Sequence, residues 1–356
     1  MRLARRITTV AAAVVLVGGV GLILRTLDAM GLFTEGRTPV ACTAPQIVRG
    51  ATGSQDMQYD ATSNVVFISA AGWRKTTDAT QDGIYAYKPG ETGLPVKLKG
   101  TPADFHPRGM SLFRDADGSL TLTAINYPTH GHPNVDVYDV TAATDGAVQL
   151  HERESVSGDL LVSPAAVVAV DKDRFYVTNE HTSKTKLTLA LEEYLVLPWA
   201  DVVFFDGSSF RVTAKWLTGA SGINKSPDGT HIYVAEASGR DIQTYARNSF
   251  SGDLTPQGTL QINSGLANIT VAPNGSLLVA GQPNLFKLRR YLGNPLKPSP
   301  SEVFRVLADA QGNLLPARLI YAGSEIAAAS VAIAARERLL IGSAFGVKIL
   351  SCASPH

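Results

Sequence analysis

Six times along this chain a turn signal introduces a short β-rich run, and a second β-rich run follows it. The leading runs begin at Val65, Leu120, Phe175, Ile232, Leu277 and Leu339, so successive starts are 55, 55, 57, 45 and 62 residues apart. Turn residues such as Asp115-Ala-Asp-Gly, Pro227-Asp-Gly and Pro273-Asn-Gly precede several of them. The second runs are Gly83–Tyr87, Val135–Tyr138, Val202–Phe205, Ile242–Tyr245, Phe286–Leu288 and Val347–Leu350. Period-two alternation repeated at about 50 residues is the pattern of β-propeller blades. One blade cannot bury both of its faces, so neighbours must stack around an axis. The fold class this implies is all-β, a six-bladed β-propeller over residues 42–356. A β-sandwich with repeated phrases is the competing architecture, and six phrases in order count against it.

A ring must also be closed. Gln46-Ile-Val-Arg is expected to pair beside Val347-Lys-Ile-Leu and so join the two ends. Cys42 and Cys352 are the chain's two cysteines and flank nearly the whole repeat region. A Cys42–Cys352 bridge is expected to staple the join, which requires an oxidising compartment. Lipidation of Cys42 is a rival use of that residue, although Pro39-Val-Ala-Cys lacks the usual leucine.

Residues 1–41 read as a separate signal or anchor segment and linker. Arg2, Arg5 and Arg6 precede an uncharged run, residues 7–24, which ends at Arg25. This is a membrane anchor with its basic end in the cytoplasm, or a cleaved signal; a buried helix is the third reading. No small-residue cleavage site follows closely, which favours the anchor. Either of the first two readings makes the protein secreted or membrane-anchored and extracytoplasmic. A net charge of +1 with 45% hydrophobic residues excludes a disordered chain and speaks against a nucleic-acid partner. The GxxxxGK[ST], HExxH and GxSxG patterns are absent.

One segment departs from the β pattern. Leu187, Ala190, Leu191, Tyr194 and Leu195 share one face of a helix inserted in the third blade. It either caps the propeller's own core or forms a lid over a pocket, with membrane contact as a further use. His130 and His132 are expected in a loop, and Lys287, Arg289 and Arg290 on a solvated strand face.

Five stretches carry a resemblance: Gly53-Ser-Gln-Asp-Met57, Phe105-His-Pro-Arg-Gly-Met-Ser111, Phe175-Tyr-Val-Thr-Asn-Glu-His181, Gly222-Ile-Asn-Lys-Ser-Pro-Asp-Gly229 and Asn268-Ile-Thr-Val. Together with the paired cysteines and the N-terminal apolar run, they make the chain similar to the paraoxonase/arylesterase family, related to gluconolactonase-like propellers. The resemblance covers residues 42–354 and implies a six-bladed propeller, calcium in the central tunnel, and hydrolysis of lactones and aryl esters. No one stretch is specific alone.

The family's functional residues carry over poorly. Its tunnel calcium is held by a Glu, an Asp and three Asn, and the matching positions here are Gln55, Ala165, Ser221, Ala267 and Asn268. Both carboxylates are gone. Calcium takes about six to eight oxygens, with affinity tuned by ligand charge, so a calcium-poor tunnel is expected. At the second, structural calcium, Asp56 and the Met110 carbonyl remain, but the other carboxylate position is Ala166. The family's His pair matches Arg108 and Tyr127, and its tunnel His matches Gln282. Glu180-His181 replaces its Asp-His. If catalysis persists, the expected actors are His181 as base oriented by Glu180, with Arg108 and Tyr127 beside them. Three readings stay open: an ester or lactone hydrolase with an altered site, a non-catalytic, membrane-anchored propeller that binds a ligand or protein partner, and a propeller with different chemistry in the same tunnel.

Overall fold

The computed structural model describes residues 2–34, 37–73, 81–91, 93–142, 147–297 and 299–354, and side chains from residue 16 onward. Its β-structure is six sheets of four strands each. Blade one holds β2 (Ser54–Asp60), β3 (Val65–Ala70), β4 (Gly83–Tyr87) and β5 (Val96–Lys97). Blade two holds β6 (Pro107–Arg114), β7 (Leu120–Asn126), β8 (Asn134–Ala142) and β9 (Val148–Ser157). Blade three holds β10 (Pro164–Ala169), β11 (Phe175–Asn179), β12 (Ala200–Phe205) and β13 (Phe210–Leu217). Blade four holds β14 (Ala220–Lys225), β15 (His231–Glu236), β16 (Asp241–Arg247) and β17 (Leu254–Gln261). Blade five holds β18 (Gly265–Val271), β19 (Leu277–Gln282), β20 (Ser301–Val306) and β21 (Arg318–Gly323). Blade six combines β22 (Ala329–Ala335), β23 (Arg338–Ser343) and β24 (Ile349–Ala353) with β1 (Gln46–Val48) from the other end of the chain.

The closure follows the expected pairing. Gln46, Ile47 and Val48 lie opposite Ser351, Leu350 and Ile349, and Cys42 is disulfide-bonded to Cys352. Between blades, apolar side chains interlock. Tyr176 and Phe204 of blade three pack with Ile223, Ile232 and Val234 of blade four in one buried cluster. Val66 and Ile68 of blade one meet Ile333 and Leu340 of blade six in another. Each such side chain contributes about 1.5–3 kcal/mol by leaving water.

Blade five differs from the sequence reading. Phe286–Leu288 is not a strand but part of a helix, and β20 is that blade's third strand. The helix follows Pro283 and is capped by Asn284, whose side chain accepts from Lys287 N–H. Leu285 and Leu288, three residues apart, then share an inward face. Lys287, Arg289 and Arg290 therefore sit on a helix, where Arg289 pairs with Glu193 at 3.1 Å.

Three helices accompany the sheets: α1 (Arg2–Ala29), α2 (Lys186–Leu195) and α3 (Leu285–Gly293). The α2 helix is the one anticipated in blade three, with Thr185 and Thr188 forming a capping box. Its buried Glu192 accepts from the Ser183 hydroxyl at 2.5 Å and the Ser183 N–H at 3.2 Å. The C-terminal end of α1 is tied to the propeller. Thr26 and Arg25 donate to the Tyr194 and Val196 carbonyls at 2.9 and 3.3 Å. Arg240 reaches the Asp28 carbonyl at 3.2 Å and the Thr34 hydroxyl at 2.6 Å. The apolar run 7–24 lies within α1, but the side chains of residues 7–15 lie outside those described. Among the described residues no helix is long and apolar enough to cross a membrane.

Candidate active site

The innermost strand of each blade carries a β-bulge in its first half. Register shifts fall between Ser54 and Asp56, Pro107 and Met110, Pro164 and Val167, Ala220 and Gly222, Leu266 and Ile269, and Ala329 and Val331. A bulge leaves a residue out of the ladder and re-aims its side chain. The residues freed in this way include Gln55, Arg108, Ala165, Ser221, Ala267, Asn268 and Ser330, and all of them line one cavity of about 420 Å³. Glycine beside a bulge allows this crowding. A Cβ on Gly109 would stand 2.6 Å from the Ala165 carbonyl oxygen, and one on Gly222 only 2.3 Å from that of Ala267. Two motif glycines are thus explained by close approach of neighbouring inner strands.

At the family's calcium positions the neutral side chains bond to backbone. Gln55 donates to the Ala344 carbonyl at 3.3 Å, and Ser221 to that of Leu266 at 2.8 Å. Asn268 donates to the Gln55 carbonyl at 2.8 Å. Ser330 donates to the Ser54 carbonyl at 2.6 Å, and Gln282 to that of Ala329. Each of these bonds joins different blades. Elsewhere around the tunnel, Gln58 bonds Met110, Ser111 bonds Ala169, and Lys225 reaches the Ala169 carbonyl. Every adjacent pair of blades is therefore linked by at least one side-chain to backbone bond.

The charged part of the cavity is Arg108 and Glu180. Arg108 Nη2 donates to Glu180 Oε2 at 2.5 Å, with both side chains a little over one-quarter exposed. Arg108 Nη1 has only long contacts, 3.4 Å to the Pro164 carbonyl and 3.5 Å to the Tyr127 hydroxyl. Tyr127 is anchored by its own donation to the Pro164 carbonyl at 2.9 Å, and Trp73 stacks edge-on against its ring. Burial pushes the Glu180 carboxyl up, but the Arg108 charge, aided by His181, outweighs this and holds it below the usual range. Burial likewise opposes the Arg108 charge, yet Glu180 and Tyr127 keep the guanidinium above its ordinary value. Trp73, Leu266, Leu285, Leu288 and Phe345 supply apolar wall.

Two expected arrangements differ. Glu180 is engaged by Arg108, not by His181, and His181 is not among the residues lining the cavity. A guanidinium two strands away is the stronger partner because it is always charged. The α2 helix supplies no lining residue either; α3 covers the cavity through Leu285 and Leu288. The remaining sequence candidates lie apart from it. His106 sits between Asp82 (2.7 Å) and Asp104 (3.1 Å), and His130 and His132 are exposed in a loop.

Asp56 and Met110 are adjacent and joined by hydrogen bonds. The Asp56 carboxylate accepts the Met57 and Met110 N–H groups at 2.8 and 2.9 Å, and the Met110 carbonyl accepts from Gln58 at 3.2 Å. The Gln58 amide thus bonds the same carbonyl that the resemblance assigns to a cation. Burial, only partly opposed by these bonds, raises the Asp56 carboxyl to about 7. Among the described residues no group of three or more His, Cys, Asp or Glu side chains is placed to hold a metal ion.

Six four-stranded blades around a polar-floored cavity define a six-bladed β-propeller with a central tunnel. Within that class the comparisons are specific. A sequence profile of the arylesterase family matches residues 88–353. Serum paraoxonase/arylesterase 1 of Homo sapiens is 30% identical over 339 residues, covering 88% of this chain and 90% of that protein. Serum paraoxonase/lactonase 3 of Homo sapiens is 31% identical over 255 residues, covering 70% of this chain and 68% of its own. A gluconolactonase of Xanthomonas campestris superposes with a TM-score of 0.51 at 18% identity, covering 90% of this chain and 98% of the other. Regucalcin of Agrobacterium tumefaciens, a calcium-binding protein, does so at 0.51 and 12%, covering 89% and 95%. The chain belongs to the arylesterase family.

Proposed function

We propose that this protein hydrolyses esters or lactones in the tunnel cavity and does so without tightly held calcium. The observation that carries the reading is the Arg108–Glu180 pair in a cavity whose other polar groups are neutral. Arg108 Nη1, whose own contacts to Pro164 and Tyr127 are long, can exchange them for a substrate carbonyl and stabilise the oxyanion that forms when water attacks. Glu180, ionised at neutral pH, orients that water and accepts its proton, then returns it to the leaving oxygen as the oxyanion collapses and the acyl–oxygen bond breaks. The Tyr127 ring, 5.9 Å from the guanidinium, holds Arg108 in place. The donor set argues against the family's metal: Ala165 and Ala267 offer no side-chain oxygen, and Gln55, Ser221 and Asn268 carry no charge.

A bridge across the chain ends fits an extracytoplasmic protein. The uncharged run 7–24 would then anchor it, with the α1 end docked beside the tunnel-mouth helix α3 through Met30 and Asn284. The test is a panel of neutral aryl esters and lactones offered to the full chain with chelator present. Turnover that falls at least 100-fold in both Arg108→Met and Glu180→Gln supports the reading. No turnover of any member refutes it and leaves a ligand-binding propeller, which the same cavity would serve.

A further inference from the structure

A second cavity, of about 1020 Å³, lies between the end of α1, the segment that follows it, and blades four and five. No residue lines both this cavity and the tunnel. Arg25, Arg37 and Arg240 face it from three separate elements: α1, the segment after it, and the turn between β15 and β16. Arg37 is paired with Glu302 at 2.6 Å. Arg25 donates to the Val196 carbonyl at 3.3 Å, and Arg240 to the Asp28 and Asn263 carbonyls and the Thr34 hydroxyl. Among the described residues, neither Arg25 nor Arg240 has a carboxylate at ion-pair distance. Arg240 is 5% exposed, so its charge is buried against neutral oxygens alone. Burial pushes its guanidinium below the ordinary value, with Asp28 opposing, Arg37 adding and Glu302 opposing. The backbone points the same way. Arg240 stands at φ 63° and Asn263, whose carbonyl it meets, at φ 61°. Glycine fits that left-handed region far better than arginine does, and such conformations cluster at ligand sites.

We propose that this cavity is a second binding site, for a tetrahedral oxyanion of the phosphate class held by Arg25, Arg37 and Arg240. A carboxylate presents two oxygens in one plane, and a single guanidinium fork satisfies it. Guanidinium groups arriving from three elements suit an anion whose oxygens point in different directions. The anion supplies the counter-charge that the buried Arg240 lacks. Ala29, Phe33 and Val196 give the cavity an apolar side, which suits the organic body of a phosphate ester. The inference is independent of the chemistry in the tunnel.

The test is calorimetric titration of the full chain, in a neutral maltoside detergent, with inorganic phosphate, with acetate, and with dihexanoyl phosphatidate below its micelle concentration. Phosphate or phosphatidate should bind, and acetate should bind at least about tenfold more weakly than the better of the two. Arg240→Gln should weaken that binding at least about tenfold. Arg25 is exposed, so Arg25→Gln keeps the test decisive if the buried variant does not fold, and it should weaken binding at least about fivefold. Arg108→Met should leave binding unchanged, which separates this site from the tunnel. Tighter binding of phosphatidate than of phosphate identifies a lipid headgroup as the source, and equal or weaker binding identifies a free phosphate; both support the site. Binding of neither, acetate binding as tightly, full affinity in a folded Arg25→Gln or Arg240→Gln, or loss of binding in Arg108→Met overturns the proposal.

Discussion

Replacing both cysteines, Cys42→Ser with Cys352→Ser, tests how the ring is closed. The bridge spans 310 residues of sequence. In the chain-entropy treatment, freeing a loop of that length restores about 5.5 kcal/mol of disorder to the unfolded chain. Apart from the apolar contact between blades one and six, few hydrogen bonds hold the join. Strand β1 pairs over three residues with β24, and outside that ladder Ala353 N–H donates to the Thr43 carbonyl at 2.7 Å and Arg338 to that of Ala44 at 3.0 Å. At about 1 kcal/mol per hydrogen bond, these contacts are weaker than the bridge. A native domain has about 5–15 kcal/mol in total, so the loss is a large part of its margin. Urea unfolding followed by tryptophan fluorescence should show the double variant less stable by about 3–5 kcal/mol, engineered losses running below the entropic limit. A difference under about 1 kcal/mol would mean that β1 pairing closes the ring unaided and that this reasoning is wrong.

Other outcomes follow from the same geometry. Ser330→Ala removes a buried donor to the Ser54 carbonyl and should cost about 1–3 kcal/mol in urea unfolding, whereas an unchanged midpoint would show the inter-blade bonds to be incidental. Glu236, beside Asp241 and buried, is raised to about 8, mainly by burial and then by Asp241. The folded chain therefore keeps a proton that the unfolded chain releases, and stability should fall as pH rises from about 4.5 to about 8. Glu236→Gln should flatten that slope, and parallel pH–stability curves for variant and wild type would contradict it. Because the Arg108 charge prevails over burial and holds Glu180 below the usual range, hydrolysis should stay level through neutral pH and fall only in acid. A rate that climbs between pH 6 and 8 would point to a histidine base instead.

Blade number and closure were legible because turn chemistry and β periodicity recur in local sequence, and because Cys42 and Cys352 flank the repeats. Phe286–Leu288 misled because a short apolar run suits strand or helix alike, and its helix is decided by the Asn284 cap and by packing over the tunnel. The tunnel residues Gln55, Arg108, Ala165, Ser221 and Asn268 were located by the resemblance, not by periodicity, since a bulge obscures alternation where it aims a side chain inward. Ser330, the bulge residue of blade six, went unnoticed; its place relative to the Leu339 strand was the available signal. The partner of Glu180 was not legible at all. Arg108 is 72 residues away in sequence, and only the curvature of the ring brings it within 2.5 Å.

Calcium content is the property on which the chemistry of the tunnel turns. The measurement is elemental analysis of the dialysed full chain, paired with its ester and lactone hydrolysis before and after chelation. Well under one calcium per chain is expected, with a rate that chelator leaves unchanged. One calcium held through dialysis, or activity lost to chelator and restored by added calcium, would contradict it.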